Sequence, residues 1–440
     1  MNSVPKSRLR KPCLSFIVAL IAILGAAFSS LGVAQPVSEP EDIDGLIAAV
    51  LSSNASLQSR RDLTSARVEL VTSEGALEDP RISYAIAPNS IGDNIPSKFG
   101  DALRMRQNIQ LSQNIPWPGK RALRSERMAA SAEVAQQSYE ETRLELITST
   151  RLLWAQWWYG NIALTTNLEY QRLVSEMTQV IETRYGNGIG LQQDVLQAET
   201  YAIQLRHQHL VLEQELRRLQ AQFNHLLNRS PSSPLPIPVG DLAIPALPSK
   251  IILEQLLLDA HPALEELKAE SNVAKLNQRL TEKDDYPDLQ LNMGYNELWN
   301  ESALRLQVGV SLNIPLDFGG KRSARKNAAQ FEYHSVQMQL QNKRSELLSS
   351  LEAELSNNEQ AVHGISLVAT ELLPSAEQTF NATLANYEGG GGNFFDLIDA
   401  QQQLLDMQLL LSKTYAEQYM ALTQLNKLTG GQLWSRGDNQ

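Results

Sequence analysis

The chain repeats itself at long range. Tyr185-Gly186-Asn187-Gly188 precedes Asp194-Val195-Leu196-Gln197-Ala198, and Tyr387-Glu388-Gly389-Gly390 precedes Asp396-Leu397-Ile398-Asp399-Ala400, at an offset of 202. The same offset relates Asn224 to Asn426 and Leu226 to Leu428. Upstream, Gly119-Lys120-Arg121 matches Gly320-Lys321-Arg322 at 201, and Asn114-Ile115-Pro116 matches Asn313-Ile314-Pro315 at 199. Pro80 and Leu57 match Pro287 and Leu264 at 207. Internal duplication of this kind governs everything built on it. Because the copies keep nearly constant length, the lengths of their elements matter to the fold. The expected division is 35–228 for the first repeat, 229–249 for a Pro- and Ser-rich linker, 250–430 for the second repeat and 431–440 for a tail.

Each copy reads helix, two strands, long helix, turn, helix. Over 103–115, Leu103, Met105, Ile109, Leu111 and Ile115 alternate with polar residues, while Gln107 and Gln113 interrupt the apolar face. In the second copy Leu304, Leu306, Val308, Val310, Leu312 and Ile314 form an unbroken alternating set. Period two over about a dozen residues predicts strands, and the length suits a tilted membrane strand of roughly 9–11 residues. Shorter alternations at Ile82, Tyr84, Ile86 and at Leu289, Leu291, Met293, Tyr295 supply partner strands. A soluble sheet with one wet face shows the same pattern. From Lys120 to Tyr185 there is no proline and a single glycine, Gly160. At 1.5 Å per residue such a helix extends about 100 Å, far beyond the usual three turns. Lys321 to Tyr387 matches it, with Pro374 as the expected kink. Helices this long need lateral partners, in a barrel of helices, a bundle or a coiled coil.

The first 34 residues read as a secretory signal: Lys6, Arg8, Arg10 and Lys11, an apolar run, and a small-residue site at Gly32-Val33-Ala34. The sole cysteine, Cys13, lies inside it. Its removal excludes disulfides, thiolate metal sites and a cysteine nucleophile. The net charge of −11 becomes more negative once the basic signal is lost, which argues against nucleic acid as a partner.

Together the duplication, the two-strand insertion in each half, the Tyr-x-x-Gly turns and Asp396-Leu397-Ile398-Asp399-Ala400 resemble the outer-membrane efflux protein family, the TolC-like outer membrane factors. The resemblance implies a mainly α protein with a membrane β-barrel: a homotrimer whose four strands per protomer close a twelve-stranded barrel, continued by a long periplasmic α-barrel. It implies an outer-membrane channel subunit of a tripartite efflux system, surrounded by outer-membrane lipid and extending into the periplasm. An inner-membrane pump and a periplasmic adaptor (membrane fusion) protein are the implied partners.

The family's periplasmic mouth lies at the turns between the long helices. That carry-over places Asp396 and Asp399, three residues apart on one helical face, as rings of carboxylates that concentrate cations. Asp194 stands at the equivalent place in the first copy, with Gln197 instead of a second aspartate. Both Asp194 and Asp396 also suit the first turn of a helix. Some members latch the mouth with an arginine in the second turn. Gly392 occupies that position here, within Gly389–Gly392, so gating is expected to fall to Tyr185, Tyr387 and packing around a mobile turn with few side-chain contacts. Adaptor docking is expected near Gly188 and Gly390. Pro116-Trp117-Pro118-Gly119-Lys120-Arg121 resembles the heavy-metal efflux subgroup. A purely structural role explains the same residues, so a metal ion and an organic compound both fit as cargo.

No catalytic or phosphate-binding motif accompanies these features. The six histidines lack metal-ligand spacing, so neither an enzyme nor a bound cofactor is expected. Two other readings stay open: a soluble periplasmic coiled-coil scaffold or adaptor, and an outer-membrane pore for protein secretion.

Overall fold

The computed structural model describes residues 42–88, 105–296 and 306–437. The expected signal and residues 103, 104 and 304 lie outside them. Two short helices, α1 (Ile43–Ser53) and α2 (Ala55–Gly75), lead into strands β1 (Arg81–Pro88) and β2 (Met105–Ile115). The long α3 (Lys120–Gly186) turns into α4 (Gln192–Leu226). The second copy repeats the order: α5 (Lys250–Ala260), α6 (Pro262–Lys283), β3 (Leu289–Asn296), β4 (Leu306–Leu312), α7 (Lys321–Leu367), α8 (Leu373–Glu388) and α9 (Phe394–Leu428). A short α10 (Gln432–Gly437) forms within the expected tail.

Duplicated positions do duplicated work. Gly119 and Gly320 both take the left-handed conformation at the entry to a long helix, with φ of 91° and 74°, where a side chain would be strained. Asn54 ends α1 and caps α2, its carboxamide accepting from the Ser56 and Leu57 amides. At the equivalent offset His261 does the same for α6, its Nδ1 accepting from the Ala263 amide at 3.2 Å. Asn224 and Asn426, both buried, hold the chain that leaves each repeat. Asn224 Nδ2 donates to the Pro231 and Ser233 carbonyls, and Asn426 Oδ1 accepts from the Leu433 amide.

The four strands make one antiparallel sheet in the order β1-β2-β3-β4. Its register puts Ile82 opposite Leu111, Leu111 opposite Met293 and Met293 opposite Val308. One face is therefore apolar from edge to edge, and it is exposed. The other face is polar: Gln110 Nε2 donates to Asn292 Oδ1 at 3.2 Å, and Asn292 Nδ2 to Ser311 Oγ at 2.7 Å. Gln113 falls on the apolar face only at its lower end, where its amide donates to the Glu78 carbonyl at 2.7 Å. β4 ends at Leu312 rather than running on to Ile314. The register also corrects the alignment of the repeats. Ser83 opposes Gln110 and Gln290 opposes Ser311. With β1 and β3 related by 207, β2 and β4 are then related by 201, not by the 199 of the Asn-Ile-Pro match.

The helices pack as an elongated layer. At mid-length Trp154, Trp157 and Trp158 of α3 bury against Leu46, Val50, Phe223 and Tyr419. The linker is fastened there, because the Trp157 and Trp158 indoles donate to the Pro236 and Gly240 carbonyls at 2.9 and 2.8 Å. Buried Arg151 binds Asp44 of α1 at 2.9 Å and the Tyr419 hydroxyl at 3.1 Å, and stacks on Trp434 of α10. The expected kink at Pro374 takes the form of a π-helical turn, Val368–Leu372, after which α8 begins with proline in its first turn. Proline has no N–H to give the preceding turn, and the widened turn absorbs the mismatch. No helix among the described residues is long and apolar enough to cross a membrane, a statement that leaves a β-barrel untouched.

Candidate functional site

The expected site residues gather at the end of the helices farthest along the chain from the sheet. The turn between α3 and α4 and the turn between α8 and α9 are built alike. Gly188 and Gly390 both lie in the left-handed region, with φ of 74° and 79°. The Gly188 amide donates to the Tyr185 carbonyl at 2.9 Å, and the Gly390 amide to the Tyr387 carbonyl at 3.1 Å. The next two amides return to the Arg184 carbonyl in one turn and the Asn386 carbonyl in the other. A Cβ at Gly188 or Gly390 would meet nothing within 4 Å, so it is backbone conformation, not crowding inside the protomer, that calls for glycine.

The tetraglycine segment departs from the expected turn with almost no side-chain contacts. The Asn386 side chain lies against it, so that a Cβ on Gly391 or Gly392 would sit 2.7 or 3.1 Å from its amide atoms.

Beneath the turns an apolar cluster of Tyr170, Val174, Ile181, Ala198, Tyr201, Leu205, Phe394 and Ile398 joins α3, α4 and α9. Phe394 is buried in it and Phe395 points outward, which divides the aromatic pair between packing and surface. Tyr387 meets Phe394 at 6.1 Å between centroids. Tyr185 stays exposed; its backbone shapes the turn.

Asp396 and Asp399 share the exposed side of α9, opposite buried Leu397, Ile398 and Ala400. The Asp396 amide is capped by Asn393 Oδ1 at 2.8 Å, and Asp399 Oδ2 accepts from Gln403 at 2.9 Å. Neither carboxylate is consumed by an ion pair among the described residues. Asp194, half-buried, occupies the first turn of α4.

Two contributors escaped sequence reasoning. The Arg184 guanidinium lies 5.2 Å over the Tyr387 ring, so an arginine of the first repeat reaches the second repeat's turn although the latch position is glycine. Deeper, the Tyr170 hydroxyl donates to the Gln401 carbonyl at 2.5 Å and accepts from the Gln401 side-chain amide at 2.7 Å. Burial pushes the Tyr170 phenol up to about 12, so it stays a neutral donor binding α3 to α9. Only spatial proximity reveals these contacts. No group of three or more His, Cys, Asp or Glu side chains converges as a metal cage among the described residues.

Comparison with known proteins adds three findings. The family model described as outer membrane efflux protein matches residues 253–431. The cobalt-zinc-cadmium resistance protein CzcC of Cupriavidus metallidurans is 25% identical over 43% of this chain and 44% of its own length, and the outer membrane protein TolC of Vibrio cholerae 26% over 36% and 38%. The chain thus matches under half the length of these curated relatives. In fold the agreement is nearly end to end: the outer membrane protein VceC of Vibrio cholerae superposes with a TM-score of 0.74 over 88% of this chain and 96% of that one, at 16% identity.

Proposed function

From the match of residues 253–431 to the outer membrane efflux protein family model, we propose that the protein is the outer-membrane channel subunit of a tripartite efflux system. The observation that carries this reading is the sheet. It presents an exposed apolar face interrupted at Gln107 and Gln113, a hydrogen-bonded polar face, and two edges, β1 and β4, that are unpaired among the described residues. In water such a sheet is an aggregation hazard. In lipid it becomes stable once its edges close. Three protomers supply twelve strands, with the apolar face toward lipid and the polar face toward the lumen. The chain sits in the outer membrane of a Gram-negative cell, and its helices continue the tube into the periplasm.

Conduction through such a tube is passive, so an inner-membrane pump supplies the energy and a periplasmic adaptor joins pump to tube. The adaptor docks at the α3–α4 and α8–α9 turns, where Gly188 and Gly390 leave open space above the backbone. At the mouth, Asp396 and Asp399 of three protomers form two rings of negative charge, with Asp194 beside them. Such rings favour cations at a constriction. Tyr387, held by Phe394 and Arg184, narrows the mouth, with Tyr185 at its rim. Divalent metal ions fit this charge, and the likeness to a cobalt-zinc-cadmium resistance protein supports them over organic cargo.

Membrane fractionation followed by unheated gel electrophoresis tests the reading. Recovery from the outer membrane as a detergent-stable trimer supports the channel. A soluble periplasmic species overturns it in favour of a coiled-coil scaffold. Recovery with secreted protein in transit turns the cargo into polypeptide.

A further inference from the structure

α3 packs along both α4 and α9, while those two scarcely touch each other. On the side of the tip cluster away from the turns this leaves an open cavity of about 400 Å³ between them, a size suited to a small organic molecule. Its floor comes from α3, where Tyr159, Ala163 and Asn167 recur along one helical face. Leu205 of α4 and Leu405 and Leu409 of α9 make its walls apolar. The rim is polar, with Gln204 and His207 on α4 and Gln402 and Asp406 on α9.

Two groups in this lining are unspent. Tyr201 is 8% exposed and lines the cavity. Its hydroxyl has no hydrogen-bond partner among the described residues, and burial pushes the phenol up to about 12, so it stays a neutral donor. Asp406 has neither an ion pair nor a hydrogen bond among the described residues. Partial burial alone holds its carboxyl above the usual range, and its charge is felt by the Tyr201 phenol. A carboxylate at the edge of an apolar cavity with no cation beside it is costly, and a cation placed there is bound the more strongly for the lost water.

We infer that this cavity binds an aromatic organic monocation, with Asp406 taking the positive charge, the Tyr201 hydroxyl giving a polar contact, and the tyrosine and leucine side chains covering the ligand's rings. The charge excludes an organic anion. A single charge is what the walls supply, because Gln204 and Asp406 are the same position of the two repeats at the offset of 202, and only one of them is a carboxylate. A metal ion fits poorly. No group of three or more His, Cys, Asp or Glu side chains converges among the described residues, whereas hard dications take about six or more oxygen ligands. Tyrosine rings attract cations through their faces, which an apolar cavity with two of them favours.

Asp406 follows Asp399 by seven residues, about two helical turns, and so lies on the same side of α9. In the tube proposed above, the cavity therefore opens on the side of the carboxylates at the mouth and holds its ligand beside the route of the cargo. That placement rests on the channel reading; the binding does not.

Proflavine, a flat diaminoacridinium cation, is the probe, titrated by fluorescence anisotropy into the purified protein in detergent, with detergent alone as the baseline. Saturable binding of one proflavine per protomer is expected. Asp406→Asn should weaken it about tenfold, the loss of a hydrogen bond to a charged group. Gln204→Asp in the Asp406→Asn background moves the carboxylate to the opposite wall and should restore binding, a rescue that a folding defect does not permit. Equal affinity in the wild-type protein and Asp406→Asn overturns the site, as does the absence of saturable binding by the wild-type protein. The channel reading is judged separately by the trimer in unheated gels. Proflavine bound through Asp406 by a protein that runs as a monomer upholds the site and removes the trimer.

Discussion

Replacing Val310 by arginine tests the orientation of the sheet. Val310 is 62% exposed on the apolar face and opposes Leu291. The described strand runs from Leu306 to Leu312, six residue steps. At about 3.3 Å per step and a tilt of roughly 40°, it spans about 15 Å of depth, about half of a hydrocarbon core. Arginine costs about 2–4 kcal/mol at the bilayer midplane of a barrel and less toward the interface, so about 2 kcal/mol is expected for a position inside the strand. Three copies per trimer raise the total to about 6 kcal/mol if the sites act independently. Ser311→Arg, one residue away, points to the polar face and should be tolerated. The assay is the fraction of heat-modifiable trimer recovered from outer membranes. Normal recovery of Val310→Arg together with loss of Ser311→Arg would refute the assignment of faces.

Three further outcomes are expected. Gly188→Ala and Gly390→Ala should each destabilise the tip by about 1 kcal/mol from left-handed backbone alone, whereas a bulky Gly188→Trp should abolish export with the trimer intact; normal export by it removes the docking proposal. The Asp396→Asn, Asp399→Asn double variant should lower cation-over-anion selectivity in planar bilayers, read as a reversal-potential shift, and an unchanged potential would take these residues out of the pore.

Buried His261 is held down to about 4 by desolvation and by Lys343 and Lys427, so the unfolded chain takes up its proton first. Stability present above about pH 6.5 is then lost as pH falls toward 4, by at most about 1.4 kcal/mol per unit. Glu141, raised by burial, acts in the opposite direction. His261→Asn, which installs the cap used at Asn54, should flatten the difference in thermal midpoint between pH 7 and 5, and an unaltered slope assigns the effect elsewhere.

Much of this architecture was legible because duplication and periodicity are local signals. The entry to the long helix at Lys120, the alternation along β2 and β4, and the placement of Asp194 and Asp396 in first turns all follow from residue types and spacing. What stayed hidden depends on partners distant in sequence. The Asn-Ile-Pro match misled by two residues, since hydrogen bonds across a hairpin, not identical tripeptides, set strand equivalence. Pro374 announced an irregularity but not that a π-turn would absorb it. Nothing in the local sequence joins Arg184 to Tyr387, or Trp157 and Trp158 to a proline-rich linker. His261 standing in for Asn54 as a cap became visible only once both turns were folded.

The pairing of β2 with β3 has a consequence for assembly. In the trimer proposed above, the same ring made of single repeats would need six separate chains to meet, each contact paying its own loss of translational freedom. Covalent fusion makes every second contact intramolecular, where tethering replaces dilution with a far higher effective concentration. Three collisions' worth of order is thereby written into the peptide bond before the chain reaches the membrane. It also frees the two halves to diverge: Asp399 against Gln197, Phe331 against Ala130 and a π-turn in one long helix alone are asymmetries that a ring of six identical chains could never hold.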